Sequence, residues 1–227
     1  MSKAITPSFG VFGVAAIIMA GAATIGAWAD EAGDRLPRHN HIQMAGMMPA
    51  GDMHDHHQHM MRDEVKRSMA HYELPDISLL RDDGKSVSLQ AELDDGRPVV
   101  MNFIFTTCSA ICPVTTRTFS MFQEGLGSER NKVHMVSISI DPEQDTPSAL
   151  RKYASKYGAG PEWHFYSGTE AASIAAQKAF DVYRGDKMNH TPVTLLRAAP
   201  GQPWLRIDGL ASAADLLSDY RTLVSLK

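Results

Sequence analysis

Cys108 and Cys112 are the only thiols in a sequence of 227 residues, and they stand four apart in "TTCSAICPVTT", with a proline directly after the second. Such a pair has three chemistries open to it: thiol-disulfide exchange, shared ligation of a soft metal ion, or inert burial. On a regular helix, positions i and i+4 hold their Cβ atoms about 5–6 Å apart, whereas a relaxed disulfide wants about 3.8 Å. An ion between the sulfurs fills that gap, at about 2.3 Å from each if zinc thiolate is the guide. The spacing therefore leans toward a metal, and an irregular first turn would restore the redox option. A purely structural disulfide is a weak alternative, because so short a loop constrains the unfolded chain little.

Other soft and borderline ligands are abundant, with thirteen Met and ten His in the chain. Between His39 and Met61, six histidines (His39, His41, His54, His56, His57, His59) and six methionines (Met44, Met47, Met48, Met53, Met60, Met61) make up twelve of 23 residues. Imidazole suits several first-row metals and thioether selects Cu(I), so the mixture points to copper rather than zinc, calcium or magnesium. His54, His56, His57, His59, Met60 and Met61 are candidate auxiliary contacts. A third donor for the cysteine pair is sought among His71, His134, His164 and His190. His134 in "VHMVSISI" and His164 after Trp163 sit in strand patterns and read as packing residues. His190, in "KMNHTPVTLL", precedes a predicted strand and is the best candidate.

The elements that must position these groups follow from local signals. Residues 1–29 read as a signal peptide or N-terminal membrane anchor: Lys3 precedes an uncharged run up to "AWA" at 27–29, and residues 9–29 are long enough to span a bilayer. The remainder is then expected outside the cytoplasm, in a periplasm or on the outer face of an inner membrane. Residues 30–71 hold almost no branched aliphatics and no apolar period, so a disordered Met/His-rich tether is expected. From 72 to 227 the pattern is globular. A hairpin turning at Asp83-Gly84 leads to an apolar strand from Pro98 to about Phe105, a run typical of a strand covered on both faces. A helix through Phe119, Phe122 and Leu126, a strand in "KVHMVSISID", and a helix capped by Thr146-Pro147 and stopped at Gly158 come next. A short strand "WHFYSG", a helix "EAASIAAQKAF", two late strands forming an antiparallel hairpin, and a final helix complete the reading. Strands alternating with helices predict a mixed sheet flanked by helices. A strand that delivers a cysteine motif to the start of a helix is the thioredoxin-like arrangement, in which the helix N-terminus stabilises thiolate. The expected fold is therefore α/β, thioredoxin-like, with an N-terminal hairpin extension. A formal net charge of −4 and the lack of any basic block argue against a nucleic-acid partner.

"FIFTTCSAICP", then "VSISIDPEQDTPSALRKYASKYG", then a histidine before a late strand resemble the Sco/SenC proteins, thioredoxin-like copper chaperones that help build the dinuclear copper centre of cytochrome c oxidase. The resemblance covers residues 72–227. It implies that Cys108, Cys112 and His190 correspond to the family's copper ligands, and that Asp141 and Asp145 correspond to its paired acidic residues near the site. The residues themselves also give those aspartates a local part, since Asp-Pro followed by Thr-Pro is ordinary loop and helix-start chemistry. The implied partners are a copper-receiving apo-protein, such as a cytochrome oxidase subunit, and a copper donor or thiol reductant. Two departures stand out. The residues between the cysteines, Ser109, Ala110 and Ile111, include no acid, and Pro192 lies about where thioredoxins keep a cis-proline beside their thiols. A cis Thr191-Pro192 bond would favour thiol exchange; a trans one would be an ordinary edge-strand proline.

Three functions are carried forward. One is an exported metallochaperone holding Cu(I) or Cu(II) through Cys108, Cys112 and His190. The second is a thiol-disulfide reductase of the recipient's cysteines, with Cys108 as nucleophile and Cys112 as resolving thiol. The third is a copper store or sensor centred on the tether.

Overall fold

The computed structural model describes residues 65–226. Among these residues eight strands are present: β1 (Lys66–Ala70), β2 (Ser78–Arg81), β3 (Ser86–Ser88), β4 (Val99–Ile104), β5 (His134–Ser139), β6 (Trp163–Ser167), β7 (Val193–Arg197) and β8 (Trp204–Asp208). Five α-helices accompany them: α1 (Leu89–Leu93), α2 (Ile111–Leu126), α3 (Pro147–Lys156), α4 (Glu170–Ala179) and α5 (Ala213–Ser225). The strands form one sheet in the order β1-β8-β7-β4-β5-β6-β2-β3. The pairs β4–β5 and β5–β6 are parallel and the others antiparallel, so the sheet is mixed, as expected.

The apolar run Val99–Ile104 is buried at every position, which is what a strand with two neighbours and two covered faces requires. The inner face of α2 presents Cys112, Thr116, Phe119, Phe122, Gln123 and Leu126 at three- and four-residue spacings, the period of a helical face. Phe122 meets Tyr220 of α5 edge to face at 5.5 Å. Thr146 caps α3 by accepting the Ala149 N–H, with Pro147 in the first turn. Such a cap contributes about 1 kcal/mol. Gly158, at φ 67, closes the segment after α3 where residues with a Cβ are strained.

The structure corrects two expectations. The stretch assigned to the end of the tether is described from Val65 onward, and Lys66–Ala70 forms edge strand β1 against β8. Its sequence, KRSMA, is largely exposed and carries no strand signal; pairing with β8 alone makes it a strand. The second concerns Cys108: the helix begins at Ile111, so Cys108 lies in the preceding loop and the i, i+4 helical geometry does not apply. The expected hairpin extension is present as β2–β3, and it extends the main sheet because β2 pairs antiparallel with β6. The question left open at Thr191-Pro192 is answered as well, since that peptide bond is trans. Residues 1–64, with the leader and the Met/His-rich stretch, lie outside the described residues. Among the described residues no helix is long and apolar enough to cross a membrane.

Candidate functional site

Strand β4 ends at Ile104, and the chain turns through Phe105, Thr106 and Thr107 to Cys108. The Cys108 N–H donates to the Phe105 carbonyl at 3.2 Å, which closes this turn. Helix α2 opens without a conventional cap, because Ala110 offers no side-chain acceptor. Cys108 Sγ takes that place and accepts the Cys112 N–H at 3.4 Å. Both thiols are free.

The two sulfurs sit in unlike surroundings. Cys108 is partly exposed; its burial pushes the thiol pKa up, but the backbone N–H groups of Cys112, Ala110 and Ile111 outweigh that and hold it below the ordinary value of 9.0. This is thiolate stabilisation by a helix N-terminus. Cys112 is 1% exposed. Burial, above all, pushes its thiol up to about 12, and the Phe105 N–H opposes it only in part. The main chain of Cys112 is also secured: its carbonyl accepts from Thr116 Oγ1 at 2.7 Å, and that hydroxyl lies 2.9 Å from the Tyr153 hydroxyl of α3.

The cysteine loop is anchored by Asp145, in the loop between β5 and α3. This fully buried carboxylate accepts from Thr106 Oγ1 at 2.5 Å, from the Thr106 N–H at 3.2 Å and from Ser139 Oγ at 2.6 Å. Burial raises the Asp145 pKa, with the Ser139 and Thr106 bonds pulling the other way. Asp141 serves a different contact. It pairs with Lys187 Nζ at 2.6 Å and so ties the turn after β5 to the loop that carries His190. The same ammonium lies 5.9 Å from the Phe105 ring centre, within cation–π range. The two aspartates thus hold the cysteine loop and the histidine loop respectively, beyond the helix-start role read from sequence.

His190 follows a 3₁₀ turn at Lys187–Asn189 and precedes β7. Because β7 runs antiparallel to β4, its start meets the end of β4, and His190 Nε2 lies 3.0 Å from the Phe103 carbonyl oxygen. A carbonyl only accepts, so Nε2 carries the proton and Nδ1 keeps the lone pair. Burial lowers the His190 pKa, with the Phe103 bond opposing and Arg184 assisting, so the neutral ring is favoured. A cleft of about 120 Å³, lined in part by Ile140, Ser173, Gln177 and Lys187, adjoins the ring. Cys108, Cys112 and His190 therefore share one end of the sheet. Among the described residues, however, no three His, Cys, Asp or Glu side chains are already gathered to hold an ion. Pro192 lies just beyond His190, and its carbonyl accepts the Gly209 N–H at 3.0 Å. His134 is buried at the start of β5, at the opposite end, as a packing residue.

A mixed sheet whose central strand delivers one activated and one buried thiol to a helix N-terminus, with a neutral histidine at the same end of the sheet, defines a thioredoxin-like protein equipped for thiol or soft-metal chemistry. The family model SCO1/SenC matches residues 66–225, and the chain belongs to that family. A curated relative, the SCO1 protein homolog of Bacillus subtilis (strain 168), is 30% identical over 166 residues, covering 69% of this chain and 85% of that protein. The solved structure of BsSco, described as a member of the Sco family of cytochrome c oxidase assembly proteins and as holding a disulfide switch, matches at 29% identity. Its TM-score is 0.58, over 70% of this chain and 98% of that one. ScoI of Bradyrhizobium japonicum, solved with copper bound, matches at 25% identity and a TM-score of 0.55, over 64% of this chain and 96% of that one.

Proposed function

We propose that this chain is an exported copper chaperone that holds copper through Cys108, Cys112 and His190 and delivers it to the copper centre of a cytochrome c oxidase subunit. The observation that carries the reading is the convergence of two free thiols and a neutral imidazole at one end of the sheet. Two thiolates suit Cu(I), and an added imidazole extends the set toward Cu(II). Cys108 is the thiol that loses its proton first. Cys112 gives up its own only when a cation balances the buried charge. His190 offers Nδ1 while Nε2–H stays on the Phe103 carbonyl, the second bond that orients many metal-bound histidines. Closing the set requires the His190 loop to shift toward the cysteines. Release proceeds by ligand exchange as the acceptor's donors replace these one at a time. The copper-bound relative and the family's part in oxidase assembly support the proposal.

Copper titration of the purified chain and of His190→Ala tests the ligand set. The native chain is expected to bind one copper and, as Cu(II), to show a thiolate charge-transfer band that weakens in the variant. Equal affinity and an unchanged band would remove His190 from the site.

A second reading has its own observation, the contrast between an activated, accessible Cys108 and a buried, protonated Cys112. That contrast suits a nucleophilic and a resolving thiol in reduction of an acceptor's disulfide. The reduction potential discriminates: a couple too oxidising to reduce the acceptor would leave only the metal role.

A further inference from the structure

The loop that carries His190 is a compact turn with few ties to the rest of the protein. Residues 184–189 are exposed, and their backbone bonds are local. The Asn189 N–H donates to the Asp186 carbonyl at 3.0 Å, the His190 N–H to the Lys187 carbonyl at 3.2 Å, and the Met188 N–H to the Asp186 carboxylate at 2.8 Å. Arg184 places its guanidinium on the nearby carbonyls of Tyr183 and Asp181. Among the described residues, two side-chain hydrogen bonds carry this turn across to the sheet. One joins His190 Nε2 to the Phe103 carbonyl at 3.0 Å, and the other joins Lys187 Nζ to Asp141 at 2.6 Å.

The anchor of Lys187 is itself fixed with respect to the thiols. Asp141 is 4% exposed, its N–H donates to Ser139 Oγ at 3.0 Å, and its carbonyl accepts the Asp145 N–H at 2.9 Å. Asp145 in turn holds Thr106, two residues before Cys108. The Lys187 ammonium also lies 5.9 Å from the ring centre of Phe105, whose carbonyl accepts the Cys108 N–H. The ion pair therefore stands where the histidine loop meets the chain that leads to the cysteines. A partly exposed pair of this kind adds little to stability. What it supplies is position: with one end of the turn held at Asp141, the shift that brings His190 toward the thiols pivots about Lys187.

We infer that Lys187 is a positioning residue for His190, and that its ion pair with Asp141 sets how well the site holds Cu(II). The inference rests on the copper-site reading above and adds to it the group that places the third ligand. Two thiolates suit Cu(I), whereas Cu(II) gains from the added imidazole. A group that acts through His190 therefore changes Cu(II) binding and leaves Cu(I) binding alone. Charge by itself predicts the opposite sign. Lys187 is a cation near a site for a cation, so its removal would tighten binding, and more for Cu(II) than for Cu(I). A loss of Cu(II) affinity without Lys187 is thus a loss of position and not of charge.

The test compares the native full chain with Lys187→Ala, Lys187→Arg, His190→Ala and the double variant Lys187→Ala/His190→Ala, each checked for native folding by circular dichroism. Lys187→Leu, which keeps the apolar stem on Phe105 and removes the ion pair, serves as a second background. Cu(II) affinity is read by chelator competition at the thiolate-to-copper charge-transfer band, which reports copper on the cysteines alone. Cu(I) affinity is read by competition with a chromophoric chelator under anaerobic reductant. Lys187→Ala is expected to weaken Cu(II) binding about tenfold or more, the usual loss when a group that orients a metal-bound histidine is removed. Cu(I) binding is expected to stay as in the native chain, and Lys187→Arg, which keeps the pair, to retain most of the Cu(II) affinity. With His190 already replaced, Lys187→Ala is expected to cause no further loss, because the two residues act as one unit. Unchanged or tighter Cu(II) binding in Lys187→Ala, equal losses for both ions, or losses that add in the double variant would each overturn the inference while the ligand set stands. Native Cu(II) affinity in His190→Ala would overturn the ligand reading and this inference with it.

Discussion

His190 Nε2 lies 3.0 Å from the carbonyl oxygen of Phe103, the last residue but one of the strand that leads to the cysteine loop. The bond spans 87 positions in sequence and fixes the tautomer, leaving Nδ1 as the nitrogen able to bind an ion. Copper is therefore expected to bind His190 through Nδ1. In the Cu(II) form of ¹⁵N-histidine-labelled protein, pulsed electron-nuclear spectroscopy should find the remote nitrogen to be a protonated Nε2 in a hydrogen bond. A remote Nδ1 would mean that the ring leaves Phe103 and turns over on binding.

The two thiols should react in sequence. Cys108 is partly exposed and its pKa lies below 9.0, so its thiolate fraction at a given pH exceeds that of a free cysteine. Cys112 is buried, with its thiol pushed up to about 12, so it stays protonated over the physiological range. Iodoacetamide added to the reduced protein at neutral pH is expected to modify Cys108 at least about tenfold faster, given these unlike thiolate populations and exposures. The rate of Cys108 should reach its half-maximum below pH 9. Peptide mass mapping across a pH series checks this, and equal labelling of both residues would refute the asymmetry.

Most of the sheet could be read in advance because its signals are local. The run Val99–Ile104 is apolar at every position but Asn102, Thr146-Pro147 announces α3, and Gly158 marks its end; each depends only on its own neighbours. The features that escaped are held in place from afar. Edge strand β1 exists because β8 offers it partners, and no property of KRSMA requires it. The late start of α2 was hidden because its cap is a cysteine sulfur in place of the usual serine, threonine or aspartate. Cys108, Cys112, His190 and Asp145 were all visible as candidates. What no local pattern carried is that Asp145 binds Thr106, 39 positions away, and that Lys187 binds Asp141, 46 positions away.

His134 links pH to stability at the end of the sheet remote from the thiols. It is 2% exposed, and its Nε2 lies 3.2 Å from the Tyr166 hydroxyl, which donates to Glu92 at 2.5 Å. Burial lowers its pKa below 6.5; Arg97 and His164 act in the same sense, and the carboxylates of Asp95 and Glu92 oppose without prevailing. The unfolded chain therefore binds the proton more readily than the folded one. Its contribution is fully present above pH 6.5 and is lost as pH falls through the lower folded value. Urea denaturation between pH 5 and 8 should show stability falling on the acid side in the native chain, with that slope reduced in His134→Phe. A slope that survives the substitution would assign the effect to another group.

Asp145 makes the opposite prediction about pH and the strongest one about packing. Its pKa is raised, chiefly by burial, so the folded chain binds the proton more readily than the unfolded one. Its contribution is fully present below the unfolded value of 3.8 and is lost as pH rises through the folded one. Asp145→Asn, which cannot ionise, should abolish that fall. The carboxylate is retained because it receives the Thr106 N–H, the Thr106 hydroxyl and the Ser139 hydroxyl. Asp145→Ala strands all three donors in a buried site, which costs about 2–4 kcal/mol. Thr106→Val removes one hydroxyl donor and leaves the backbone bond, at a cost of about 1 kcal/mol. Thr106 begins the turn into Cys108, so the alanine variant should also weaken copper binding under conditions where it remains folded, whereas Thr106→Val should not. Denaturation curves paired with copper titrations separate the two effects. Native copper affinity in folded Asp145→Ala would confine this carboxylate to stability and exclude it from positioning the thiols.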